Sequence, residues 1–98
     1  MKDLTLGGYL REHDRPPAFR GADGEAYSVE LIVEPTDPDD GGEWGAYLFF
    51  IRWRGTEPVA HLETDFLSRA ASEKEARAPV EHLTLHHIKD LLDSLVAG

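Results

Sequence analysis

Trp44-Gly45-Ala46-Tyr47-Leu48-Phe49-Phe50-Ile51-Arg52-Trp53-Arg54 is the stretch on which the fold turns. It holds both tryptophans and two of the four phenylalanines. Aromatic and β-branched side chains suit a half-buried pleated surface, and only Gly45 resists an extended chain. The run reads as the central strand of an antiparallel sheet. Side chains alternate between the faces of a strand. Tyr47, Phe49, Ile51 and Trp53 share one face, which is apolar or amphipathic throughout and is expected to meet the core. Ala46, Leu48, Phe50, Arg52 and Arg54 share the other, which ends in two cations and is expected to meet solvent, at least in part.

The neighbouring strands are placed against this one. Upstream, Tyr27, Val29, Leu31 and Val33 alternate with Ser28, Glu30, Ile32 and Glu34, the pattern of a sheet with one buried and one wet face. Keeping core opposite core pairs Leu31 with Tyr47, Val29 with Phe49 and Val33 with Gly45. Before it, Phe19 to Tyr27 forms a hairpin. A three-residue loop, Ala22-Asp23-Gly24, with Gly24 in the left-handed position, sets Phe19 opposite Tyr27 on one face. The Pro- and Gly-rich segment from Pro35 to Glu43 is a loop. Downstream, Gly55 to Pro58 turns the chain. Val59 to Thr64 returns with Leu62 opposite Ile51 and Ala60 opposite Trp53, which sets Arg52 beside His61 and Phe50 beside Glu63.

The termini read as helical. Residues 3–13 form a short helix capped by Asp3 or Thr5, with Leu6, Tyr9 and Leu10 on one face. The Gly7-Gly8 pair weakens that helix, and residues 1–16 are otherwise an arm. Ser72-Glu73-Lys74-Glu75 matches a capping box and opens a short helix that Pro79 is expected to end or restart. Thr84 caps a final helix with Leu85, Ile88, Leu91, Leu92, Leu95 and Val96 in one stripe. The sum is an α+β domain: an antiparallel meander of three to four strands, with the C-terminal helix and a shorter preceding one packed on one face.

Composition narrows the function. The 98 residues suit one domain with a modest core. There are no cysteines, which removes disulfides and thiol chemistry. No apolar run is long enough to span a bilayer, and Met1 to Gly8 lacks the apolar centre of a signal peptide. A cytoplasmic protein is expected. Nineteen acids against ten bases leave a net charge of −9. That balance argues against nucleic acid and against anionic membranes. Only three of the bases are lysine. An acidic, lysine-poor surface fits either a halophilic host or an acidic bacterial protein of the ordinary kind.

The candidate sites divide by chemistry. His82 and His86 have the spacing of two metal ligands on one helical face, with His87 beside them. The Thr84 cap bends the chain between the two, so the group reads as surface histidines. Asp37, Asp39, Asp40 and Glu43 suggest a hard cation, but Pro38 and the glycine positions break the calcium-loop template. Glu30, Arg52, His61 and Glu63 are expected to converge on the outer sheet face, either for proton transfer or as cross-strand pairs. No complete catalytic set and no cofactor motif accompanies them. Ile32, Leu48 and Phe50, rimmed by Arg52 and Arg54, form the expected exposed patch on that face, unless the N-terminal arm folds over it. Exposed edge strands offer a second route to association. The reading is an interaction module that binds a protein partner or a second copy through the outer face. The alternative is a metal- or small-ligand-binding protein using surface histidines.

Overall fold

The computed structural model describes residues 4–37 and 42–98. The element order is α1 (Leu6–Glu12), β1 (Ala18–Arg20), β2 (Ala26–Pro35), β3 (Trp44–Arg54), β4 (Glu57–Glu63), β5 (Ser68–Ala70), α2 (Glu73–Glu81) and α3 (Leu85–Ala97). The sheet is antiparallel in the order β1-β2-β3-β4, and β5 pairs with the start of β3 beyond the end of β4. Helices cover one face. The expected α+β meander with terminal helices is the observed architecture.

The β1–β2 hairpin forms as the sequence predicts. Phe19 lies opposite Tyr27. The Gly21 N–H donates to the Glu25 carbonyl, leaving a three-residue loop in which Gly24 takes φ +83°. Between β3 and β4, Gly55 takes φ +64°, as at the first central position of a type II′ hairpin turn.

The register of β3 differs from expectation by one residue against both neighbours. Val29 faces Phe50 and Leu31 faces Leu48; Phe50 in turn faces Leu62. A shift of one residue turns every side chain of a strand over. β2 and β4 keep their expected faces, and β3 is inverted between them. The core is built from Tyr27, Val29, Ala46, Leu48 and Phe50 on the sheet, with Leu6, Ala76, Val80, Ile88 and Leu92 from the helices. Tyr47, Phe49, Ile51 and Trp53 lie on the opposite face, half-buried. The physical reason is in the side chains. Ala46, Leu48 and Phe50 carry no polar atoms and fit under helices, whereas Tyr47 and Trp53 each have a polar tip that needs an outlet. Arg52 is the residue that misdirects the parity argument. Its stem lies on the covered face while its head reaches the sheet edge, where Nη1 is 3.7 Å from Asp23 Oδ2.

Two helical expectations change in detail. The Ser72 hydroxyl accepts from the Glu75 N–H and donates to the Glu75 carboxylate, so Ser72 caps α2 as expected and Glu75 reaches back to its hydroxyl. Pro79 does not end α2, which continues to Glu81. Ala76 and Val80, one turn apart, are both buried, and that packing holds the last turn although Pro79 cannot donate a bond. The N-terminal segment docks among the helices. Thr5 caps α1 through the Gly8 N–H, the Leu6 N–H donates to the Leu83 carbonyl, and the Leu85 N–H donates to the Leu4 carbonyl. α1 passes close to the end of α2: a Cβ on Gly7 would stand 3.2 Å from Glu81 Cβ. The described residues of this segment therefore do not fold over the outer sheet face.

Strand β5 is not among the strands that the sequence pattern predicts. It is anchored by its neighbour Phe66, whose ring lies on the backbone of Gly45. A Cβ on Gly45 would come within 2.4 Å of that ring. The glycine that weakens β3 as a strand is the seat that holds Phe66 to it.

Candidate functional site

The expected site residues that the structure describes have definite places. Ile32 lies on the open sheet face opposite Tyr47. Leu48 and Phe50 are fully buried and belong to the core, so the patch of Ile32, Leu48 and Phe50 does not form. Arg52 is on the covered face, at its edge, and Arg54 is exposed at the strand end. The cluster of Glu30, Arg52, His61 and Glu63 is split likewise. Glu30, His61 and Glu63 face outward as expected, and Arg52 does not. His82 follows α2 as its C-terminal cap. His86 and His87 are exposed on the first turn of α3, and His86 Nε2 lies 3.7 Å from Asp90. Among the described residues, no three His, Asp or Glu side chains are grouped to hold a metal ion. Of the acidic loop, Asp39 and Asp40 lie outside the described residues.

The open face has its own order. Directly opposed residues share a face, so the register produces rows across β2, β3 and β4. One row reads Glu30, Phe49, Glu63, and the next Ser28, Ile51, His61. Phe49 and His61 stack with ring centres 5.1 Å apart. Trp53 Nε1 donates to Ser28 Oγ at 2.8 Å, which gives the indole its polar outlet on this face. Tyr47 meets the edge of Phe66 at 5.8 Å. No described element covers these rings.

Beside Tyr47 lies a shallow depression of about 220 Å³ lined by Glu34, Tyr47, Glu63, Thr64, Asp65 and Phe66. Burial raises the pKa of the Tyr47 phenol above its ordinary value, and the charges of Glu34 and Glu63 add to the rise. Across Phe66 the Arg69 guanidinium carbon sits 5.2 Å from the ring centre, and Arg69 pairs with Glu43 at 3.5 Å.

No family model, curated protein or solved structure matches this chain. Its chemistry is therefore read from the arrangement alone.

A second polar cluster closes the other end of the covered face. Tyr27 donates to Asp23 Oδ2 at 2.7 Å, and the Glu25 N–H donates to Oδ1. The Tyr27 bond, then the backbone bond, hold the Asp23 carboxyl below its ordinary value, with a smaller contribution from Arg52. Burial and the same hydrogen bond raise the Tyr27 phenol. The Ala22 N–H donates to Asp93 on α3, so the hairpin tip is tied to the last helix. The cluster is a latch between hairpin and helix: Tyr27 is buried in the core, and its only outward-facing group is spent on Asp23.

Tyr47, Phe49, Ile51 and Trp53 are the surface residues that sequence reasoning assigned to the core, and Phe66 is one it did not place. The missed signal is that residues 46–51 are apolar at every position. Such a run has no wet face to read, and its parity rested on two arginines.

Proposed function

We propose that the chain is a small interaction module that binds a protein partner through the open face of its sheet. The observation behind this reading is the row of half-buried aromatic and aliphatic side chains on β3, left without a cover by every described element. Contiguous apolar surface of this kind costs solubility and tends to mark contact sites. Aromatic side chains such as these supply much of the binding energy where proteins meet. Among the described residues, no helix is long and apolar enough to cross a membrane.

Site-specific photo-crosslinking in the native host tests the proposal. Benzoylphenylalanine placed at Phe49 is expected to capture a protein that the same group at Glu73, exposed on α2, does not. Equal or absent capture at both positions would remove the reading.

A further inference from the structure

We infer that the partner presents a cationic segment, in which arginine or lysine side chains are interleaved with apolar ones. This rests on the open face being the contact surface, and goes further by naming the chemistry it selects. The apolar side chains of the segment lie over Phe49 and Ile51. A cation sits in the depression bounded by Glu34, Glu63 and Asp65, against the ring of Tyr47.

Charge complementarity carries the argument. Glu30 and Glu63 flank Phe49 in one row, and Glu34 lies two residues further along the same side as Ile32. Among the described residues, none of Glu30, Glu34, Glu63 and Asp65 makes an ion pair. Some carboxylates elsewhere do pair, Asp23 with Arg52, Glu43 with Arg69, Glu81 with Arg77, and Asp93 with Lys89, but the four on the open face lie together beside aromatic rings. A wholly apolar partner would strip water from these carboxylates and return nothing for it. A cation meets both requirements of the depression, since carboxylates attract it and aromatic faces hold it. The protein already shows this combination next door, where Arg69 lies over Phe66 and pairs with Glu43. A second copy of the chain fits poorly. Two faces of this kind set carboxylates against carboxylates, in molecules that each carry a net charge of −9, and like charges across an interface disfavour the pairing.

The test uses the whole protein, labelled with nitrogen-15, and a short synthetic peptide alternating arginine with leucine. Two control peptides replace leucine by serine, or arginine by glutamate. The arginine–leucine peptide is expected to shift amide resonances on β3, β4 and residues 64–66, and to bind more tightly than either control. The double variant Glu34→Gln/Glu63→Gln, folded by the same spectrum, is expected to weaken binding about tenfold. Equal binding of the serine control would overturn the inference, as would unchanged affinity in the double variant or shifts confined to the helices. A dimer of the protein alone that is lost in Phe49→Glu would overturn it as well, by giving the face to a second copy. Mapping the segment captured at Phe49 separates the two readings. An acidic or uncharged segment removes the cationic inference and leaves the interaction module standing, whereas absence of capture removes both.

Discussion

At the scale of single residues, the Tyr27–Asp23–Arg52 latch makes stability depend on pH in a definite direction. The Asp23 carboxyl titrates below its ordinary value of 3.8 in the folded protein, chiefly through the Tyr27 hydrogen bond. A group whose pKa falls on folding contributes stability above its unfolded value, and that contribution disappears as pH drops through the folded value. Tyr27→Phe removes the bond and leaves the ring in place. The variant is expected to unfold at lower urea than the parent at pH 7, and the gap is expected to narrow as pH falls below 3.8. Urea titrations across that range check it, and a gap independent of pH would mean the bond does not set the carboxyl's affinity for protons. Arg52 belongs to this scale too. Its pairing with an aspartate some thirty positions earlier in the chain leaves no trace in local pattern, which is why a cation in an apolar strand looked like an outward-facing one.

Among the elements, β3 is the one on which the structure depends most. Over residues 46–51 both of its faces are apolar, yet their roles are unequal. Phe50→Ala empties a fully buried site and is expected to cost about 3–5 kcal/mol, a large share of the stability of a domain this small. Phe49→Ala, next to it on the open face, is expected to cost a fraction of that, because the ring is only half-buried. Urea unfolding of the two variants measures the inversion directly: similar losses, or the reverse order, would contradict the register. What was legible in the sequence follows the same physics. β2 was readable because polar residues alternate with apolar ones along it, and the hairpin because Asp23-Gly24 fixes a loop length. Helix α3 was readable from its cap and stripe. The face of β3 was not, since a one-residue slip exchanges one apolar set for another. Strand β5 was hidden because it is short and its support comes from Phe66 and Gly45 across the sheet.

Taken whole, the molecule is an acidic shell around a small core. Its carboxylates repel one another in the folded state more than in the extended chain, and salt screens that repulsion over about 10 Å at ~0.1 M. Raising sodium chloride from ~0.01 M to ~0.5 M is expected to lift the thermal midpoint. Scanning calorimetry at several concentrations reads this, and a flat or falling curve would show that the ion pairs outweigh the repulsion. Salt should act oppositely on docking of a cationic segment, since screening weakens attraction at a charged surface. The composition disclosed the sign of this field. It did not disclose that Glu30, Glu34 and Glu63 gather around aromatic rings, because that gathering is a product of register.

The ring of Phe66 resting on Gly45 ties two distant positions into a single heritable unit. Any side chain at 45 occupies the space the ring needs, so the two sites cannot drift independently. In chains descended from this one, a larger residue at 45 should travel with the loss of the aromatic at 66, and with it β5 would lose its hold on the sheet margin.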